Sequence, residues 1–308
     1  MELRQLRYFV RVVEAGSIGR AAMSLGMVTS ALSQQISRLE GELSTRLLQR
    51  SASGVVPTDA GLAFFRQAQL ALRHADDAVT AAQQARLAGH VSVGLPSTTA
   101  AILGAPFLQA MNERYPDIRL HLVEALSGHL ADMLNGRLLD LAIVFHAESA
   151  RRWSIMPLLD EPLYLCARRD MPGVPDGDTT RLDAIAHLPL VLPSGRHGLR
   201  ALVNNAFQQM GQTPRVVAEV DGLSLLMDVV QLGNAATIQP SSATARIAPG
   251  QLHMARIEDA HLFRPNLLAS LSDDELSPAG LAARLVLADV SRTLARDGKW
   301  AVVALHES

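Results

Sequence analysis

Between residues 30 and 38, side chains that donate and accept hydrogen bonds recur at spacings of three and four residues. On a helix with 3.6 residues per turn, this spacing places them on one face. The face consists of Ser30, Ala31, Ser33, Gln34, Ser37 and Arg38. Glutamine can bond adenine bidentately, hydroxyls can bond several base edges, and arginine can bond guanine or phosphate. The pattern predicts a surface that reads duplex DNA, with an ordinary solvated polar face as the alternative.

Three further polar turns follow predicted strands in the second part of the chain. They are Ser97, Thr98 and Thr99, then Ser127 and Gly128, and finally Ser194, Gly195 and Arg196. The free N–H groups and the dipole of a helix that starts at such a turn favour an anion, and Arg196 adds a cation. We therefore predict that these turns bind a small carboxylate-like ligand, although serine, threonine and glycine are also common as plain helix caps.

The sequence lacks the residue patterns of the common enzyme classes. Lys299 is the only lysine, so the internal lysine of phosphate-loop hydrolases and of pyridoxal enzymes is missing. No G-x-S-x-G or H-E-x-x-H motif occurs, and the ten histidines show no metal-ligand spacing with carboxylates or with Cys166. We predict no enzyme activity, no cofactor and no metal. An α/β enzyme with an accessory DNA-binding domain is the distant alternative.

The composition is that of a globular protein with room for two or three domains: 308 residues, of which 48% are hydrophobic and 19% charged. No apolar run approaches the ~20 residues that span a bilayer, and the N terminus has no signal-peptide pattern. The single cysteine, Cys166, cannot form an intrachain disulfide. These features predict a cytoplasmic, nucleoid-associated protein.

The net charge is −2, but residues 1–60 carry seven arginines and five acids, a small local positive excess.

Two short helices are predicted before the polar face. Apolar residues at spacings of three and four indicate a helix from Leu3 to Val13, which Gly16 ends. Ser17 can cap a second helix, which Gly26 ends. A helix, a glycine turn and a helix with a polar face form the helix-turn-helix arrangement of major-groove readers.

The third helix bears the polar face and is followed by a predicted hairpin. Thr29 or Ser30 can cap this helix. Its predicted buried stripe is Leu32, Ile36, Leu39 and Leu43. Two strand-like runs around a Ser/Gly-rich tip predict a β-hairpin wing over residues 47–58. Arg50 is then placed to bond a phosphate beside the groove. Thr58 is a further DNA-contact candidate and can cap the next helix.

Across its whole length, the N-terminal segment resembles the DNA-binding domain of LysR-type transcriptional regulators. The resemblance is carried by LRQLRYFVRVVEAGSIGRAAMSLGMVTSALSQQISRLEGEL and by LLQRSASGVVPTDAG. It includes the pair Ala21 and Ala22, the ALSQQI-x-x-LE core and the closing R-x6-PT-x-AG. The chain departs from the family at Ser30, Ser44 and Leu48, where proline, glycine and phenylalanine respectively are common.

A long linker helix is predicted over residues 59–88. Heptad spacing is shared by Phe65, Leu72, Val79 and Arg86, with Ala68, Ala75 and Ala82 between them. Such a stripe predicts a coiled-coil seam between two chains. The alternative is a single amphipathic helix that packs on its own domain. The family resemblance implies a homodimer or a dimer of dimers, which reads two-fold sites.

Beyond residue 88, predicted strands and helices alternate, which is typical of α/β folds. Two such sets predict two lobes, similar to the periplasmic-binding-protein architecture. The fold class is therefore α/β with a helix-rich winged helix-turn-helix domain at the N terminus. The predicted boundaries are 1–58 for the DNA-binding domain, 59–88 for the linker and 89–308 for the effector-binding domain, with lobe I at 89–161 and 266–308 and lobe II at 162–265.

The resemblance implies a transcriptional regulator that binds double-stranded promoter DNA as an oligomer. It also implies a small effector in the cleft between the lobes, at the three polar turns, and possible contact with RNA polymerase. Control by abundance without an effector is the alternative, because Ala235 and Gln239 replace a glycine and an aliphatic residue that are common in the family. The segments SQQISRLEGE and SLSDDELSP look most similar to the nitrogen-assimilation-control branch, for which such control is expected.

Overall fold

The structure is a computed structural model that describes residues 1–51, 54–83, 88–146, 153–195, 198–248, 250–259, 262–272 and 276–306. The chain divides into two compact units. One consists of Met1–Arg86 with Gly136–Leu138, and the other of Leu87–Asn135 with Leu139–Ser308. Each unit has its own hydrophobic core.

The first unit has the predicted three helices, the hairpin and the long helix. Its elements are α1 (Leu3–Ala15), α2 (Ile18–Ser24), α3 (Thr29–Glu42), β1 (Leu48–Ser51), β2 (Gly54–Pro57) and α4 (Asp59–Gln83). The two strands pair antiparallel, with Leu48 opposite Pro57 and Ser51 opposite Gly54. The hairpin therefore has the wing geometry that its sequence predicts.

The turns around α2 follow the sequence closely. Gly16 has a φ of 61° and Gly26 a φ of 64°, the left-handed conformation that glycine adopts without strain. The Oγ of Ser17 accepts a hydrogen bond from the backbone N–H of Arg20, so Ser17 caps α2 as predicted. Ala21 and Ala22 are buried, which lets α2 pack closely on its neighbours.

The start of α3 differs from the prediction. Val28, and neither Thr29 nor Ser30, occupies the N-cap position, and no side chain caps the helix. The sequence argument failed because it assigned the cap to the hydroxyl residues, which both lie inside the first turn. The buried stripe is confirmed at Leu32, Ile36 and Leu39, whereas Leu43 is only partly buried.

Hydrogen bonds join the wing to the turn after α1 and to the start of α4. The N–H of Val55 donates to the carbonyl of Gly16 at 3.0 Å. Thr58 caps α4, because its Oγ1 accepts from the N–H of Gly61 at 2.9 Å. The same hydroxyl donates to the carbonyl of Arg46 at 2.9 Å. Thr58 therefore joins the wing to the long helix, as its predicted capping role requires.

The first half of the predicted coiled-coil seam on α4 packs within its own chain. Ala68 is buried in one cluster with Leu6 and Val10 of α1, and Phe65 and Leu72 pack against that cluster. This half of the stripe therefore fits the alternative in which the helix packs on its own domain, and not a seam that is free to pair with a second chain. Further along α4, Val79 is 54% exposed.

The second unit begins with a sheet and its covering helices. Its first elements are β3 (Gly89–Leu95), α5 (Ser97–Arg114), β4 (Ile118–Glu124), α6 (Ser127–Asn135), β5 (Leu141–Val144) and β6 (Ser154–Ala167). The next are β7 (Thr179–Thr180), α7 (Leu182–Ile185), β8 (Leu190–Leu192), α8 (Gly198–Gln209), β9 (Val216–Glu219) and α9 (Leu223–Gln231). The last are β10 (Thr237–Pro240), the short 3-10 helix η1 (Ser241–Thr244), β11 (His253–Ile257), β12 (Phe263–Ser270), α10 (Pro278–Arg296) and β13 (Ala304–Leu305).

The main sheet of this unit is mixed. β3 pairs in parallel with β4 and β5, whereas β12 pairs antiparallel with β5 and β6. β10 and β11 both pair antiparallel with β6, and β8 and β9 form a small parallel sheet. The antiparallel pairs of this sheet all involve β6 or β12.

Residues 91–95 of β3 are all buried. A central parallel strand is covered on both faces, which explains the continuous burial. Helix α5 begins at Ser97 and continues through Pro106.

Two large hydrophobic clusters lie along β6. Leu158 and Leu159 belong to the cluster built on β3, α5 and α10. Leu163 and Leu165 belong to the cluster that includes β8, α7 and α8. The predicted lobe boundaries fall inside β6 and β12, and the domain boundaries as a whole stay predictions.

Candidate DNA interface and ligand cavity

The polar face of α3 is accessible. Ser30, Gln34, Ser37 and Arg38 are exposed, and Ala31 and Ser33 are half-buried. The guanidinium of Arg38 lies 3.5 Å from the Glu42 carboxylate in an exposed ion pair. Because Leu32, Ile36 and Leu39 fix the opposite face in the core, α3 presents these polar groups as one rigid row.

Of the two predicted DNA contacts near the wing, the structure describes the side chain of Thr58 but not that of Arg50. The hydroxyl of Thr58 is engaged in the cap of α4 and in the bond to Arg46. The backbone of Arg50 pairs with Val55 in the wing, and its side chain lies outside the described part of the chain. The role of Arg50 therefore stays a prediction from the sequence.

A cavity of about 780 Å3 lies in the second unit, between elements of the two predicted lobes. Its walls come from α6, the end of β5, the start of α8 and β12. The lining residues are Ser127, Gly128, Ala131, Asp132, Asn135, Val144, Phe145, His146, Trp153, Gly195, Gly198, Ala201, Leu202, Asn205, Phe263, Arg264 and Pro265. Apolar and aromatic walls with a few polar groups are typical of small-molecule sites.

Three of the predicted ligand-binding residues line this cavity, namely Ser127, Gly128 and Gly195. The Oγ of Ser127 accepts from the backbone N–H of Gly198 at 3.3 Å, so one hydrogen bond joins the two sides of the cavity. A Cβ on Gly198 would stand 3.4 Å from the Cβ of Phe145, so the start of α8 lies close against the opposite wall.

Among the described residues, Ser97, Thr98, Thr99 and Ser194 are not part of the cavity lining. Ser97, Thr98 and Thr99 form the first turn of α5, where Thr98 and Thr99 are buried. The hydroxyl of Thr99 donates to Asn266 Oδ1 at 3.1 Å, whereas Thr98 Oγ1 is buried without a hydrogen-bond partner.

The third predicted turn is only partly described. The N–H and Oγ of Ser194 bond the carboxylate of Asp221 at 2.8 and 3.1 Å. Arg196 lies outside the described residues, as does the neighbouring His197. The cation that the sequence offers to an anion is therefore a prediction without a described position.

A fully buried carboxylate lies beside this cavity. Glu161 of β6 accepts at Oε1 from Ser242 Oγ at 2.7 Å and from Trp300 Nε1 at 2.6 Å. Its Oε2 accepts from Arg264 Nε at 3.1 Å, from Arg264 Nη2 and from Asn266 Nδ2 at 2.9 Å. The donors come from η1, β12 and the segment after α10. One carboxylate therefore ties together elements of both predicted lobes.

Arg264 connects this cluster to the cavity wall. Its guanidinium carbon lies 3.9 Å from the ring centroid of Phe145, in cation–π geometry. Burial lowers the pKa of Arg264, and the Glu161 carboxylate opposes that shift. Its Nη1 is buried without a hydrogen-bond partner. The aromatic wall of the cavity therefore rests on a buried ion pair.

The sequence analysis missed this cluster, although a signal was present. Glu161 and Arg264 are charged residues within two largely apolar strand patterns, SIMPLLDEPLYLCA and FRPNLLAS, the first of which also contains Asp160. Charges at such positions are almost always paired.

Cys166 is buried as a free thiol. Complete burial raises the pKa of the Cys166 thiol to about 12. No group of three or more His, Cys, Asp or Glu side chains in the described ranges is arranged to hold a metal ion. None of the helices within those ranges is long and apolar enough to cross a membrane.

Comparisons with known proteins identify the class. Residues 3–62 match the family model described as a bacterial regulatory helix-turn-helix protein of the lysR family. Residues 84–292 match the LysR substrate binding domain. The chain therefore belongs to the LysR family of transcriptional regulators, as the sequence resemblance predicted, and it is a DNA-binding regulator and not an enzyme.

Among its relatives are two nitrogen assimilation regulatory proteins named nac. That of Klebsiella aerogenes is 35% identical, covering 93% of this chain and 94% of the relative. That of Escherichia coli K12 is 33% identical, covering 99% and 100%. The predicted likeness to the nitrogen-assimilation branch is thereby confirmed.

Solved structures confirm the predicted fold. Full-length CbnR in complex with its target DNA superposes with a TM-score of 0.70 and 26% identity, covering 94% of this chain and all of that chain. Full-length OxyR of Pseudomonas aeruginosa gives a TM-score of 0.72 and 26% identity, with 95% of each chain covered.

Proposed function

We propose that this regulator recognises specific promoter sequences by placing α3 in the major groove. The observation that carries the proposal is the exposed polar row of α3, held rigid by Leu32, Ile36 and Leu39. In this arrangement Ser33 and Gln34 contact base edges, with Ser30, Ala31 and Ser37 beside them. Arg38 and the wing residue Arg50 contact phosphates, which position the protein without reading sequence.

Two variants test this division of roles on a site selected from random duplexes by the full-length protein. Gln34→Ala should cost about 1–3 kcal/mol at one base position and relax preference there. Arg50→Ala should weaken binding to all sequences and reduce the salt slope by about one unit. Equal losses on selected and random DNA for both variants would contradict the proposed roles.

We further propose that the protein acts as a homodimer or a dimer of dimers. CbnR was solved on its target DNA, and two-fold dimers place two reading helices on adjacent half-sites. Support in this chain comes from Val79 of α4, a 54% exposed apolar residue beyond the part of α4 that packs on α1.

Val79→Glu should lower the mass measured by analytical ultracentrifugation. Met23→Glu, at an 82% exposed position of α2, should leave it unchanged. Equal masses for all three proteins would contradict a role of Val79 in assembly.

The cavity is proposed as the site of a small effector. Its aromatic walls and the Ser127–Gly198 bond place polar and apolar groups of both lobes around one ligand-sized space. A ligand that prefers one lobe arrangement shifts the equilibrium between arrangements by its difference in affinity, and through it the binding of DNA. Ser97, Thr98, Thr99 and Ser194 become secondary candidates, because they do not line this space.

An anionic effector remains part of the proposal, with Arg196 as its cation. Among the described lining residues, Asp132 is acidic and the Arg264 guanidinium already pairs with Glu161. Carboxylates and their neutral amides should therefore be compared in a thermal-shift panel, with Arg196→Gln and the cavity-filling Ala131→Trp as variants. Stabilisation by carboxylates alone that both variants abolish supports the proposal. Stabilisation by amides alone would contradict an anionic effector.

Absence of any shift across the panel would favour the alternative, in which abundance alone controls activity. Its support is the similarity to the nac regulators. Ala235 and Gln239, on which the sequence based this alternative, add no support. Both of these residues are buried and neither lines the cavity. Contact with RNA polymerase and a cytoplasmic, nucleoid-associated location stay predictions.

A further inference from the structure

Val28, the N-cap residue of α3, is exposed where folding favours a polar residue. It is 68% exposed, and no side chain caps the helix. Serine, threonine, asparagine and aspartate are preferred at this position because they bond the free N–H groups of the first turn. A single exposed apolar residue needs no explanation by itself. Here the valine also occupies the N-cap of α3, where a capping polar side chain would stabilise the helix.

Val28 lies at the end of α3 that enters the major groove in the proposed arrangement. It directly precedes the first turn of α3 and lies two residues from Ser30, at the start of the proposed reading face. Within α3 and its cap, all of which the structure describes, it is the only large apolar side chain that is mostly exposed. Recognition helices contact base edges mainly with their N-terminal residues.

We propose that Val28 determines sequence preference by packing against the C5-methyl group of a thymine in the major groove. This inference rests on the proposed placement of α3 in that groove. The thymine methyl is the one apolar group on the major-groove edge of a base pair, and small apolar side chains are its usual partners. A valine offers two methyl groups for this contact, whereas a capping serine would offer none.

The proposal predicts opposite effects of Val28→Ser on folding and on recognition. Serine can bond the N–H groups of the first turn, so the variant should be at least as stable as the parent protein. Its binding to a thymine-containing site should nevertheless weaken. This separation distinguishes a base contact from a structural role, because a structural role would lower stability and binding together.

The test uses full-length protein and a site selected from random duplexes. Each thymine of the site is replaced in turn by deoxyuridine, which lacks only the C5-methyl group. For the parent protein, one replacement per half-site should weaken binding about fourfold, the loss expected for one buried methyl. Val28→Ser should bind the parent site more weakly and lose its sensitivity to that replacement. Met23→Ser, which changes another exposed apolar residue, should retain it.

Other results would overturn the inference. If no replacement affects the parent protein, or if Val28→Ser keeps the same sensitivity, Val28 does not contact a thymine methyl. If Met23→Ser loses the sensitivity as well, the effect is not specific to Val28. Failure of the selection to enrich any sequence would instead contradict the proposed function, and the inference would fail with it.

Discussion

Arg264 lies directly opposite Glu161 in the pairing of β12 with β6, and both side chains are fully buried. The two strands run through both halves of the second unit, so the pair stands where the predicted lobes join. Trp300 and Ser242 add donors from either side. The Glu161 carboxylate therefore holds four neighbouring residues in one arrangement.

Removing one partner of this pair should destabilise the protein strongly. Glu161→Gln leaves the buried guanidinium of Arg264 without its countercharge, for which a loss of about 3–5 kcal/mol is typical. Denaturant unfolding of the second unit measures the loss. Arg114→Ala is the control, because its ion pair with Asp289, at 2.6 Å, is half-exposed and should contribute less than about 1 kcal/mol. Equal losses for the two variants would show that burial of the pair has no energetic consequence.

Gly61 should tolerate no side chain. A Cβ at this position would overlap the carbonyl oxygen of Leu47. The backbone N–H of Thr58, directly before α4, donates a hydrogen bond to the same oxygen. Gly61→Ala should therefore cost at least about 2 kcal/mol of unfolding free energy in the first unit. Gly41→Ala adds the same methyl group in open space on α3 and should stabilise the unit by about 1 kcal/mol. A neutral Gly61→Ala in chemical denaturation would contradict the close approach.

Ser44 adopts a left-handed conformation, with a φ of 49°. This conformation is strained for a residue with a Cβ and free of strain for glycine, which explains why glycine is common there in the family. Ser44→Gly should stabilise the first unit by up to about 1 kcal/mol, since the flexibility it adds to the unfolded chain offsets part of the gain. Ser37→Gly, inside α3, should have the opposite sign. Destabilisation by both in thermal melts would argue against strain at Ser44.

The thiol of Cys166 should be inert in the folded protein. With its pKa raised to about 12 by burial, almost none of it is thiolate at neutral pH, and the thiolate is the reactive form. A chromogenic aromatic disulfide should react only after unfolding in guanidinium. Peroxide treatment should likewise leave DNA binding of the parent and of Cys166→Ser unchanged. Rapid native reaction would reveal access to the thiol and would contradict its burial.

Much of the fold was predictable because it depends on local patterns. The helical period from Leu3 to Val13, the glycine stops and the cap at Ser17 depend on neighbours in sequence, and the structure has them at the predicted places. The N-cap of α3 was misassigned, because Val28 does not have the side chain that normally marks a cap.

The candidate site was predictable only in part, because its groups meet through long-range pairing. Ser127, Gly128 and Gly195 were found as polar turns after strands, and they line the cavity. Glu161 and Arg264 are 103 residues apart, and the register of β12 on β6 that joins them is not readable from either segment alone. For the same reason the sequence left two alternatives open for Phe65 and Leu72, a coiled-coil seam or packing on the chain's own domain, and the structure shows the second.

The central claim is sequence-specific DNA binding, and a gel-shift titration tests it most directly. The purified protein is titrated against the intergenic DNA upstream of its own gene and against random DNA of equal length, at the same salt concentration. A sequence-specific regulator should bind the upstream DNA more tightly by about 10³-fold or more. Equal, weak binding to both would contradict recognition of that DNA, and equal, weak binding to every sequence in a genome-wide site selection would contradict the claim itself.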